Sequence, residues 1–303
     1  MVRYNQNLKK KVPISIVCAS HKGREKLPQL IDSIYKNTFW PDEIIICGTQ
    51  INDFDLISKK KYPKLSIKKL VSKIKSQKYQ RKKAQNHATN NIILQLDDDL
   101  ILKKNFIELM FLHFKNDNEK KVVCALILIK TKKRKSIAQS YRWNYFFYKN
   151  FIFRIVLRLL NFGKKIKFYS ILRSGRICPL LPKNFYNSKK IISGIEWTPS
   201  TICYEKSAIK DSIIHIDLKE KKSYYEDVIF SHSLHKKGYK LLIDRNIIAY
   251  HPEFESLNIK EHIKTLKAQF FIVRNFKKSY MLFFLDVLLA TTYLLFKRIL
   301  INK

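Results

Sequence analysis

Between residues 14 and 129 the chain alternates two patterns. Short unbroken apolar runs occur at Ile14–Cys18 (ISIVC), Glu43–Cys47 (EIIIC), Asn91–Leu96 (NIILQL) and Val122–Ile129 (VVCALILI). They read as strands buried on both faces. Leu65–Val71 alternates apolar and polar residues and reads as another strand. Between them, Glu25–Lys36 carries Leu27, Leu30, Ile31, Ile34 and Tyr35 at helical spacing, Tyr79–Thr89 is a polar helix, and Asn105–Phe114 is a third helix. This alternation predicts an α/β class with a mainly parallel sheet flanked by helices. In such sheets ligands bind beyond the carboxyl ends of the strands.

The pattern changes after residue 130. Residues 136–176 mix aromatic, apolar and basic residues (YRWNYFFYKNFIFRIVLRLLNFGKK). Ile191–Tyr204 reads as loop or strand. Ser223–Lys237 reads as a helix stopped by Gly238, followed by short strands at Tyr239–Ile243 and Ile247–Tyr250. Asn258–Lys278 is a basic helix and Met281–Phe296 is almost wholly apolar. Four segments are therefore expected: 1–130, an aromatic-basic insertion at 131–176, 177–256, and C-terminal amphipathic and apolar helices at 257–303.

Charge adds a partner class. Lysine and arginine number 60 against 24 acids, a formal charge of +36, which favours anionic lipid, nucleic acid or phosphorylated ligands. A biased composition rich in lysine and isoleucine is the competing account of that charge. The five cysteines, Cys18, Cys47, Cys124, Cys178 and Cys203, show no metal-knuckle spacing, and their odd number fits a reducing compartment. The polar start MVRYNQNLKKK is not a signal peptide.

Against this background Asp97, Asp98 and Asp99 stand together at the end of a buried strand. Adjacent carboxylates repel one another unless a cation or donors compensate. A hard divalent ion, Mg²⁺ or Mn²⁺, is the natural compensator and keeps positions open for phosphates. The alternative is a solvated acidic turn capping the next helix. A second pair, Glu226 and Asp227, opens the predicted helix after Ser223. Ser223 and Glu226 fit a capping box, and Asp227 is left free to act as a general base. His251 follows the last short strand; a lone histidine there is either structural or a ligand.

In this order the pieces resemble the inverting family-2 glycosyltransferases of GT-A-type, Rossmann-like fold, of the bacterial, membrane-associated kind. PISIVCASHKGREKLPQLIDSI resembles their first strand, nucleotide loop and helix, and LQLDDDL their Asp-x-Asp motif. EWTPSTICYEKSAI resembles the acceptor-side loop, and YYEDVIFSHSLHKKGYKLLIDRNIIAYHPE the Glu-Asp helix and terminal histidine. FFIVRNFKK resembles an Arg-Asn helix that follows the catalytic domain. The resemblance implies a nucleoside diphosphate sugar as donor and a glycan or lipid-linked acceptor in surface polysaccharide or envelope glycan synthesis. It implies Asp97, Asp99 and His251 around the metal, and Asp227 with Glu226 as the catalytic acids. Ser20, Arg24, Arg81, Asp97 and Asp98 are expected on the nucleotide sugar, and Glu196 and Trp197 on the acceptor. The chain departs from the family at Ala84-Gln85-Asn86, at Ser200 and Ile202, at Ser233, and after the second strand, where no base-reading aspartate follows Cys47.

Met281–Phe296 contains Asp286 and is shorter than the roughly 20 residues of a spanning helix. Lys277, Lys278, Lys297, Arg298 and Lys303 flank it, which suits a helix lying on an anionic leaflet. The competing account is a helix docked on the catalytic domain. The expected location is cytoplasmic, peripheral on the inner face of the cell membrane. A non-enzymatic basic binder and a nucleotidyltransferase are the rival functions. The sequence shows no Walker loop, zinc-finger spacing or RNP motif, so nucleic acid is not the expected partner.

Overall fold

In a computed structural model, residues 10–115, 119–130, 136–138, 148–181, 191–213, 224–251 and 259–301 are described. The strands are β1 (Lys11–Ala19), β2 (Trp40–Gly48), β3 (Ile67–Val71), β4 (Ile92–Asp97), β5 (Ile101–Leu102), β6 (Lys121–Lys130), β7 (Ser136–Ala138), β8 (Ser170–Ile171), β9 (Ile177–Cys178), β10 (Ile191–Ile192), β11 (Ile202–Glu205) and β12 (Lys240–His251). The helices are α1 (Leu27–Tyr35), α2 (Gln77–Asn86), α3 (Phe106–Leu112), α4 (Phe151–Leu159), α5 (Ala208–Asp211), α6 (Glu226–Lys236), α7 (Ile259–Asn275) and α8 (Tyr280–Ile301). One large sheet runs in the order β10-β12-β6-β11-β4-β1-β2-β3, with β5 on β12 and β7 on β6.

The expected parallel order holds for β4-β1-β2-β3 and for β6 with β12. The join between these groups is β11, antiparallel to both β4 and β6. The two short strands expected at 239–250 are one strand, β12, whose register slips between Asp244 and Ile248. The sheet is thus mixed α/β.

Successive residues of β1 and β4 serve opposite faces, as the pleat requires. Ile16, Leu94 and Leu96 join α1 and α3 in one core, through Leu27, Leu30, Ile31, Ile34, Phe106 and Met110. Val17, Ile45 and Ile93 join α2 and α6 in the other, with Tyr204, Phe230 and Leu234. Each fully buried aliphatic side chain stabilises the fold by about 1.5–3 kcal/mol, which is why the unbroken runs become central strands. Helix α2 is the exception. Its buried positions include Gln80, Arg81 and Gln85 as well as Ala84. An inward face made of polar groups has to meet other polar groups. It meets the carboxyl edge of β1 and β4.

Candidate active site

The three aspartates point to three different partners. Asp97, the last residue of β4, lies 2.8 Å from a guanidinium nitrogen of Arg81 and accepts a short hydrogen bond from the Ser200 hydroxyl. Asp98 is buried and accepts from Ser20 Oγ at 2.7 Å, while the Lys26 ammonium stands 3.9 Å away. Asp99 faces His251 Nε2 at 3.2 Å and Lys26 Nζ at 3.5 Å. The acidic turn is therefore wired to β1, α2, the Ser200 loop and the end of β12. It is not the solvated cap of a helix.

Arg81 carries the connection further. Its side chain is buried, and its other terminal nitrogen lies 3.0 Å from Glu226 at the start of α6. One guanidinium thus joins the β4 acids to the Glu226-Asp227 pair. The neighbouring carboxylates raise the Arg81 pKa against the opposing effect of burial. Asp227 is beside this pair and lines a cleft with Lys78, Lys82, Gln85, Gln95 and Glu226.

Electrostatics separate the acids. Burial pushes Asp227 up to about 7; Asp97 and Glu226 push the same way, while its Val228 N–H bond and Arg81 oppose the rise. Burial likewise raises Asp98 to about 6 against the Ser20 hydrogen bond. Asp99 is held below the ordinary range, because the His251 ring and Lys26 outweigh its burial. A carboxyl group poised near 7 is what general-base work at neutral pH needs.

The backbone at this point is strained. Tyr225 precedes α6 at φ 56°, the left-handed region that costs a non-glycine residue about 1 kcal/mol or more. The capping box expected from Ser223 and Glu226 is not what starts the helix. Ser223 lies outside the described residues, Tyr225 occupies the N-cap position without a side-chain cap bond, and Glu226 turns to Arg81. Gly238 ends α6 at φ +87°, as expected.

Several expected site residues sit elsewhere. Arg81 is fixed between two carboxylates and is not a free nucleotide contact. Asp97 is already compensated by Arg81 and Ser200, so of the three expected metal ligands Asp99 and His251 face one another and Asp97 does not join them. Arg24 is exposed, 3.9 Å from Asp55. Trp197 is buried, donates to the Ser170 carbonyl at 3.2 Å and packs on Tyr169, so it is a core residue. Glu196 accepts the Ile171 N–H at 3.0 Å and supports β8. Ser20, expected on the nucleotide sugar, lies at this edge and donates to Asp98.

The departures from the family pattern also have partners. Gln85 bonds Tyr204 and Gln95, a buried amide network beneath the cleft. Ser233 accepts the Ile213 N–H at 2.9 Å, and Ile202 is a buried residue of β11. Asp53 is the acid that the reading of the second strand missed. It accepts from the N–H groups of Gly23, Thr49 and Gln50 and so ties the loops after β1 and β2 together. A Cβ on Gly48 would fall 2.8 Å from Phe54 and 2.9 Å from Asp53, so that join needs glycine.

Asp99 and His251 have the separation of a metal-binding pair. Asp99 Oδ1 is buried and faces the His251 ring at ion-pair distance, outside good hydrogen-bond geometry. Its separation from His251 Nε2 suits two adjacent ligands of one ion, which lie about 3 Å apart when each bond is near 2.1 Å. Among the described residues no three His, Cys, Asp or Glu side chains form a complete metal-binding group. Two protein ligands, with phosphate and water to complete the shell, fit Mg²⁺ or Mn²⁺.

Residues 15–171 match the family model described as glycosyl transferase family 2, just over half of the chain. The chain belongs to glycosyl transferase family 2. The family-2 fold is matched by crystal structures of S. aureus TarS. TarS 1–349 aligns at TM-score 0.54 and 14% identity, over 86% of this chain and 65% of that one. The same protein in complex with UDP aligns at 0.53, and in complex with UDP-GlcNAc at 0.52, each at 14% identity over 86% of this chain and 65% and 66% of TarS 1–349. The chain thus spans less than two thirds of the length of those proteins. No curated protein matches the chain.

Proposed function

We propose that this glycosyltransferase is metal-dependent and inverting, and moves a sugar from a nucleoside diphosphate sugar to a hydroxyl of a glycan or lipid-linked acceptor. The observation that carries the reading is the meeting of Asp97–Asp99, Glu226-Asp227 and His251, brought from three distant segments to one sheet edge through Arg81 and the Asp99–His251 contact. The complexes of TarS with UDP and UDP-GlcNAc support a nucleotide sugar as donor. Residues 1–130 would supply the donor contacts and 177–256 the base.

In this reading Asp227 takes the proton of the acceptor hydroxyl, which attacks the anomeric carbon from the face opposite the leaving diphosphate. A single displacement inverts the centre. Arg81 holds Glu226 and Asp97 in place without competing for the acceptor proton. Ser20 orients Asp98, and Lys26 adds positive charge where phosphates would approach. Asp99 and His251 would hold Mn²⁺ or Mg²⁺, which when bound supplies Lewis-acid offset of charge on the leaving group. The basic surface supports a peripheral position at the inner face of the cell membrane, on anionic lipid, and with it a part in surface polysaccharide or envelope glycan synthesis.

The test is a thermal-shift screen against UDP-, GDP-, dTDP- and CMP-sugars, each with and without Mn²⁺. A ligand that binds the native state raises its melting temperature. Stabilisation by one nucleotide class, only with metal and lost in Asp99→Asn, is expected. A shift with nucleic acid and with no sugar nucleotide would overturn the proposal.

A further inference from the structure

Two helices leave apolar stripes uncovered. On α4, Phe151, Ile152, Ile155 and Leu159 are exposed, with Phe162 continuing the row, while Leu157 on the other side is buried. On α8, Met281, Phe284, Leu285 and Leu288 are exposed, and Leu282, Phe283 and Asp286 are buried. The spacing in both is that of a single helix face.

The stripes flank one turn, 173–176. On one side Ser174 N–H donates to Leu160 O, and Arg173 N–H to the Asn161 side chain. On the other, Ser279 N–H donates to Arg173 O. Asp286 fixes α8 there: it takes a two-point ion pair from Arg176 and hydrogen bonds from Ser174 and Gln269. This network holds the buried side of α8 to the protein and turns its opposite side outward.

The charge around the stripes is one-signed. Residues 148–181 contain eight lysines and arginines and no acid. Residues 263–301 contain seven and a single acid, Asp286, which is buried. Arg158, Lys164, Lys165, Lys167, Arg173 and Lys277 are exposed around the apolar rows. Among the described residues no helix is long and apolar enough to cross a membrane.

We propose that the outward faces of α4 and α8 form one bilayer-docking surface: the apolar rows enter the acyl boundary and the surrounding cations meet anionic lipid headgroups. Helix α8 lies along the bilayer, because spanning it would pull Asp286 from Arg176. This rests on the peripheral placement proposed above and is independent of the donor and metal assignments.

The experiment is co-sedimentation of the full chain with vesicles of phosphatidylcholine alone or mixed with phosphatidylglycerol. Ile152→Glu/Phe284→Glu changes two side chains that are 71% and 63% exposed. Lys164→Glu/Lys165→Glu changes the rim. An unchanged melting temperature checks the fold of each variant. The wild type should pellet with the mixed vesicles only, and each double variant should bind at least tenfold more weakly. If the wild type binds neither vesicle, the peripheral placement itself fails. If Ile152→Glu/Phe284→Glu binds as the wild type does while salt releases both, diffuse surface charge carries the binding and this face is not the dock.

Discussion

Asp286 and Asp227 are both helical aspartates, the first buried and the second half-buried, and their surroundings are opposite. Asp286 has a two-point guanidinium partner, a hydroxyl and an amide on its two oxygens. Asp227 has one backbone N–H on one oxygen, and desolvation, helped by two further carboxylates nearby, pushes its pKa up to about 7. A satisfied acid fixes a piece of architecture. An under-satisfied one is left able to take up a proton. The contrast suits α8 to a positioning role and the start of α6 to the proton transfer proposed above.

The sharpest way to break this contrast is Asp227→Asn. Turnover should fall by about 10²–10⁴-fold, the usual contribution of a positioned base, while donor binding by thermal shift persists. Full turnover would remove Asp227 from the mechanism. Asp286→Ala should do the reverse. Removing the buried Asp286 leaves the half-buried Arg176 and the buried Ser174 and Gln269 without their partner, which costs about 3–5 kcal/mol. The melting temperature should drop by roughly 10 °C at about 2–4 °C per kcal/mol, with specific activity of the folded fraction kept. Asp99→Asn should abolish the part of donor binding that needs Mn²⁺ and leave any metal-free part, read by titration with and without chelator.

The smallest effect sharpens the comparison through pH. Folding raises Asp227 from 3.8 to about 7, so the folded state holds that proton more tightly than the unfolded chain. Its contribution to stability is full below the lower value and is lost as pH rises through about 7. Asp227→Asn should therefore melt a few degrees above the wild type at pH 8, and the two curves should converge toward pH 4. The acidic limb of kcat/KM in the wild type should have its midpoint near 7. A limb near 4 would mean that the base is an ordinary exposed carboxylate.

The sheet and helices were legible because continuous apolar runs and the Leu27–Ile34 spacing leave few alternatives. So was the acidic turn, since three adjacent carboxylates after a buried strand contradict everything around them. The role of Arg81 was not, because α2 looks like a polar surface helix until its inward side is seen to face Asp97. Trp197 misled for a related reason. An aromatic residue in an acceptor-type loop and one packed on Tyr169 look the same in sequence. The pairing of β11 between β4 and β6 has no local signal at all, since register across more than a hundred residues leaves no period in the chain.

That pairing governs how the protein is made. Strand β11 fills the gap between β4 and β6, so the middle of the sheet is completed only by a segment ending at Glu205. A chain emerging from the ribosome presents β4 with its β11 edge unpaired until that segment arrives, and β6 also waits, longer still, for β12 on its other side. Sheets that depend on late, distant pairing close slowly and expose open edges in the meantime. Synthesis of this protein should therefore be most vulnerable to self-association before Glu205 leaves the exit tunnel, and the first half of the sequence should not mature as a free-standing unit.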